Sequence, residues 1–156
     1  MDFIGRKTEL STLKSLVQKP KGQLAVIRGR RRIGKSRLAE EVGKNFTFMK
    51  FSGIAPTLNV TPQDQRAVFA RQLSRYLKLP EMVFHDWDDI FTFLANQLGS
   101  EPTVLLLDEI SWMGDKDPTF IGKLKNWWDM QLQAFPHLIV ILCGSFSTWI
   151  EENIIK

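Results

Sequence analysis

A single cysteine, Cys143, and only two histidines, His85 and His137, leave little room for redox or zinc chemistry in this chain. One thiol cannot close an internal disulfide, and its place in an apolar run marks it as a buried structural thiol. Neither histidine has a cysteine or second histidine at ligand spacing, which excludes the usual zinc sites. The longest purely apolar run, Leu138 to Cys143, is far short of the roughly 20 residues that a membrane-crossing helix needs. The start, Met1-Asp2-Phe3-Ile4-Gly5-Arg6, lacks the charged-then-apolar order of a secretory signal. Repeats and low-complexity tracts are also missing. Together these absences predict a soluble, cytoplasmic protein with no membrane contact.

What is present fits one globular domain spanning residues 1–156. Hydrophobic residues make up 44% and charged residues 24%, which excludes a disordered, collagen-like or coiled-coil chain. The net charge of +4 raises the question of nucleic acid, and its placement decides the matter. Arg28, Arg30, Arg31, Arg32, Lys35 and Arg37 crowd into one short stretch, and taking these six from the 21 basic residues leaves 15 against 17 acidic ones. A basic excess confined to one loop favours a local polyanion such as a triphosphate over a long DNA-binding face.

Along the chain, helical and strand patterns alternate, which predicts an α/β domain with a largely parallel sheet. Leu10, Leu13, Leu16 and Val17 recur at helical spacing and predict a helix over 7–18. Strands are predicted at Gln23–Arg28, Phe46–Phe51, Thr103–Leu107 and Leu138–Leu142, with a helix over 35–42 after the first. Thr61-Pro62 with Asp64 is a helix start: a hydroxyl cap, a proline at the first position and an acid three residues after the cap. That helix runs to about Lys78. Asp86 caps the next, which Gly99 stops. Asp117-Pro118 opens a further helix, closed by Phe135-Pro136, and a last helix begins near Thr148. Asp115 and Asp117 read as loop and cap residues. Trp112, Trp127, Trp128 and Trp149 read as core aromatics in preference to a base-stacking surface.

The chemistry gathers in three places. Gly29-Arg30-Arg31-Arg32-Ile33-Gly34-Lys35-Ser36, continued by Arg37, has the P-loop spacing between a predicted strand and a predicted helix. The glycines let backbone N–H groups curl around a phosphate, and the helix dipole faces the same anion. Lys35 is expected on the β- and γ-phosphates of ATP and Ser36 on its Mg2+. Val104-Leu105-Leu106-Leu107 then leads into Asp108-Glu109 at the strand end where α/β ligands bind. Asp108 is expected in the magnesium shell, and Glu109 orients or deprotonates the attacking water. Ser145, just past the fourth strand, either hydrogen-bonds that water or the γ-phosphate, or joins Ser147 in capping the last helix.

These residues resemble the archaeal-type ATPase family, also found in bacteria, within the AAA+-like and STAND branch of P-loop ATPases. The resemblance covers essentially the whole chain. It rests on Phe3-Ile4-Gly5-Arg6-Lys7-Thr8-Glu9-Leu10, the P-loop, Leu107-Asp108-Glu109-Ile110 with Trp112, and Leu142-Cys143-Gly144-Ser145. It implies a three-layer P-loop fold with parallel strand order 1-4-3-2, and it implies Phe3, Ile4 and Gly5 near the adenine and Arg6 near the nucleotide. It also implies a fifth strand, a helical lid and often a C-terminal domain, none of which is found before Lys156. The expected function is binding of Mg-ATP and slow hydrolysis. The alternatives are a nucleotide-gated interaction module with incidental turnover and a DNA-associated ATPase subunit. A first strand paired on one side only suggests a homo-oligomer through that edge, and a missing C-terminal domain or protein partner is expected besides.

Overall fold

A computed structural model describes residues 19–28 and 46–144. Four parallel strands form one sheet: β1 (Gln23–Arg28), β2 (Thr47–Ser52), β3 (Thr103–Asp108) and β4 (Leu138–Gly144), in the order β1-β4-β3-β2. The expected α/β class and strand order are both found. β3 and β4 lie in the middle and are buried along their whole length, as their unbroken runs of branched apolar residues require. The predicted helices over 7–18, over 35–42 and after Thr148 lie outside the described residues.

Four helices are described: α1 (Pro62–Leu77), α2 (Trp87–Asn96), the single turn α3 (Ile110–Met113) and α4 (Phe120–Met130). The capping box at the start of α1 forms as its sequence dictates. Thr61 Oγ1 accepts from the Asp64 N–H at 3.1 Å, and Asp64 Oδ2 accepts from the Thr61 N–H at 2.8 Å. Lys78, at φ 57°, closes the helix in the left-handed conformation.

Two expected helix ends move. α2 stops at Asn96, ahead of Gly99, because the Gln97 and Leu98 N–H groups bond the Leu94 and Ala95 carbonyls, three residues back, and the last turn tightens. α4 ends at Met130, before Phe135-Pro136, where Gln131 leaves helical geometry at φ −128° and a separate 3-10 turn covers Leu132–Ala134. α3 was not expected, since a run of four residues is too short to show a period.

Strand register sorts the side chains into two faces. Met49, Phe51, Leu105, Leu107, Leu138, Val140 and Leu142 meet the described helices in one core. That core is strongly aromatic. Phe51 stacks on Phe69 of α1 at 4.2 Å, Phe91 of α2 stacks on Trp127 of α4 at 4.2 Å, and Trp87 meets Phe120 edge-on at 5.0 Å. The reading of Trp127 as core is therefore borne out, while Trp112 and Trp128 are half-buried. Phe48, Lys50, Ser52, Leu106 and Asp108 share the opposite face.

Asp86 joins two of these helices. Its Oδ1 accepts from the Asp88 N–H at 2.7 Å, capping α2, and from the Lys123 ammonium of α4 at 3.0 Å. The Asp88 N–H and then the Lys123 charge hold the Asp86 carboxyl below its ordinary range. A depressed carboxyl stabilises the fold above its unfolded-state pKa, and that contribution is lost as pH falls through the folded-state value. We expect Asp86→Asn, which keeps a cap but has no charge to titrate, to lose less stability than the parent between about pH 5 and pH 3. Urea midpoints measured across that window would show it, and parallel curves for the two proteins would contradict it.

Candidate functional site

The parallel register brings three strand ends to one edge of the sheet. Arg28 pairs with Gly144 across β1 and β4, Leu107 pairs with Leu142 across β3 and β4, and Ser52 pairs with Asp108 across β2 and β3. The chain therefore leaves the sheet toward Gly29, Ser145 and Glu109 at this edge. Ligands of open α/β sheets bind outside the carboxyl ends of the strands. Phe3, Ile4, Gly5, Arg6, the loop Gly29–Ser36 with Arg37, and Ser145 all lie outside the described residues. Asp108 and Glu109 lie within them, at the end of β3.

The pair is built into the backbone with some force. Asp108 is 7% exposed and Glu109 4% exposed. The Glu109 N–H donates to Asp108 Oδ1 at 2.9 Å, which fixes one oxygen of the aspartate. Glu109 itself sits at φ 53°, ψ 52°, in the left-handed region. For a residue with a β-carbon this conformation is strained by roughly 1–3 kcal/mol, a cost that persists only where surrounding structure over-determines it. The conformation turns the chain from β3 into α3: the Glu109 carbonyl accepts from the Trp112 N–H at 3.0 Å and the Met113 N–H at 3.3 Å. Among the described residues three other non-glycine residues have positive φ, namely Lys78, Lys116 and His137. Lys78 closes a helix, and Glu109 is the buried one of the four.

A second loop clasps this turn. The Gly53 N–H donates to the Asp108 carbonyl at 3.1 Å. A β-carbon at Gly53 would stand 2.9 Å from the Glu109 carbonyl oxygen, the Met113 nitrogen and the Trp112 β-carbon, so only glycine allows the approach. The chain beyond Gly53 is then held by side chains. Buried Gln65 of α1 accepts from the Ile54 N–H at 2.9 Å and donates to the Ile54 carbonyl at 2.8 Å. The Lys116 ammonium donates to the carbonyls of Thr57, Leu58 and Val60 at 3.2, 3.2 and 3.0 Å. The same helix also covers the outer edge of β2. The Lys50 and Ser52 N–H groups donate to the Tyr76 hydroxyl at 2.9 Å and to Gln72 Oε1 at 3.1 Å.

One residue of the site was missed from sequence. Lys50 Nζ lies 3.9 Å from Asp108 Oδ2, while Oδ1 accepts from the Glu109 N–H. The available signal was a lysine in the middle of a strand, between Met49 and Phe51. Asp108 also has the chemistry a magnesium ion wants: a buried hard-oxygen donor with one oxygen already facing a cation. Among the described residues no three acidic, histidine or cysteine side chains cluster as a cage. Magnesium does not require one, because it is commonly held by one or two carboxylates with waters and substrate phosphates.

No family model matches the chain. An uncharacterized protein of Methanocaldococcus jannaschii is 25% identical over 150 residues, which are 96% of this chain and 31% of that protein. Among solved structures, the ORC2 protein of Aeropyrum pernix, in ADPNP-ADP complexes, superposes on 99% of this chain and 45% of its own, with TM-score 0.64 and 16% identity. A Walker-type ATPase of Pyrococcus abyssi superposes on 90% of this chain and 45% of its own, with TM-score 0.55 and 17% identity. The chain thus shares the α/β fold of these two solved structures and spans less than half the length of each of the three proteins named.

Gly53→Ala is expected to lower stability by about 1–3 kcal/mol, the usual cost of forcing an atom into a packed site. It is also expected to change Trp112 fluorescence, because the displaced atoms belong to the Glu109 turn. Parent-like urea stability would show that the two loops are not locked together.

Proposed function

We propose that this chain is an ATP-binding domain that binds Mg-ATP and hydrolyses it slowly. The observation that carries the reading is the convergence at one sheet edge. The residue after β1 is the first glycine of the P-loop sequence, and the residue pair at the end of β3 is the buried Asp108-Glu109. The fold shared with a Walker-type ATPase and with an ORC2 protein in ADPNP-ADP complexes supports it.

In this reading Gly29–Ser36, with Arg30, Arg31, Arg32 and Arg37, forms the phosphate cradle. Lys35 pairs with the β- and γ-phosphates, Phe3, Ile4 and Gly5 flank the base, and Arg6 lies near the nucleotide. Ser36 and Asp108 hold Mg2+, which when bound would offset the charge on the phosphate oxygens. Glu109 acts as the base toward water, and its strained turn holds the carboxylate at the strand end. Ser145, one residue beyond β4, adds a hydroxyl to the same edge. Turnover is slow because no arginine is placed by motif as a finger, a contribution of roughly 10³ to 10⁵ in rate.

Two substitutions test this. Lys35→Ala removes a charge-assisted contact and should weaken ATP at least about tenfold in a folded protein. Glu109→Gln keeps the shape but cannot accept a proton, so it should retain ATP affinity while turnover falls by about 10² or more. Calorimetry and phosphate release read both. Unchanged affinity in Lys35→Ala would remove the cradle, and parent-rate turnover in Glu109→Gln would remove the base and favour a nucleotide-gated module.

A further inference from the structure

Lys50 stands out because a charged side chain in the middle of a strand needs a reason. It shares a sheet face with Ser52, Leu106 and Asp108, and its ammonium reaches to 3.9 Å from Asp108 Oδ2. The lysine side chain is 33% exposed and that of Asp108 only 10%, so the cation bridges a buried carboxylate and the solvent. Asp108 Oδ1 accepts from the Glu109 N–H, and Oδ2 is the oxygen that lies 3.9 Å from the ammonium. Lys50 also borders an open cleft of about 440 Å³, lined by Ser52, Gln72, Arg75 and Tyr76 as well.

We propose that Lys50 is a positioning residue that occupies the cation side of Asp108 until magnesium replaces it, and so sets the magnesium concentration at which the nucleotide site loads. This rests on the reading of Asp108 as a magnesium ligand. A lysine ammonium at this distance aims the carboxylate, and its positive charge opposes the arrival of a second cation at the same oxygen. The long, flexible lysine stem lets the ammonium withdraw into the open cleft when the metal enters. Tyr76 and Gln72 hold the backbone N–H groups of Lys50 and Ser52, so the strand stays in place while the side chain moves.

The test is binding of a fluorescent ATP analogue at a series of Mg2+ concentrations, and in EDTA, for the parent, Lys50→Met and Lys50→Arg. In Lys50→Met the Mg2+ midpoint should fall three- to tenfold while affinity in EDTA stays within about twofold of the parent. Lys50→Arg, which keeps the charge, should leave the midpoint near the parent value. Lys50→Gln gives the same reading as Lys50→Met should methionine prevent folding at this half-exposed position. A midpoint that is unchanged or raised in the neutral variants would overturn the proposal, as would an equal loss of affinity with and without metal. A parent protein that binds no nucleotide at any Mg2+ concentration would instead overturn the ATP-binding function itself.

Discussion

A carboxylate has to be carried to the end of a strand that is sealed from water, and most of what surrounds that point in this chain serves to hold it there. β3 is buried over all six residues and lies between β2 and β4. Leaving Asp108 and Glu109 4–7% exposed is costly for charged groups unless each is met by donors or cations. The Glu109 N–H and the Lys50 ammonium meet Asp108. The left-handed turn at Glu109, the glycine that presses on it and the glutamine that ties down the following loop are consequences of that placement.

The aromatic core supplies the stiffness. Stacked and edge-on rings from α1, α2 and α4 lie on one face of the sheet, and this arrangement keeps α1 along the outer edge of β2. From there Gln72 and Tyr76 occupy N–H groups that would otherwise offer β2 as a template for another strand. Packing, edge protection and site geometry thus depend on the same helix.

Local chemistry was legible in the sequence. The Thr61-Pro62-Asp64 start and the Asp86 cap involve residues two or three apart, and both formed as read. The buried strand leading to Asp108 was legible because a run of four branched apolar residues has few other uses. Strand order came only from a family resemblance, since no local rule fixes which strands pair. Gly53 against Glu109, Gln65 on Ile54 and Lys50 beside Asp108 were not legible. Each is a contact between segments brought together by the sheet, 11 residues apart for Gln65 and Ile54 and further for the others. Glycine and proline further along do not mark the ends of α2 and α4, because a tightened turn ends α2 first and Gln131 leaves helical geometry at the end of α4.

Whether Asp108 and the loop after β1 form one nucleotide site is decided by a crystal structure with Mg2+ and a non-hydrolysable ATP analogue. We expect phosphates against Gly29–Ser36, with the ion in a near-octahedral shell of oxygens at roughly 2.1 Å that Asp108 anchors. The Lys50 ammonium should be drawn away from Asp108 Oδ2. A nucleotide bound elsewhere, or bound at this edge with its metal remote from Asp108, would contradict it.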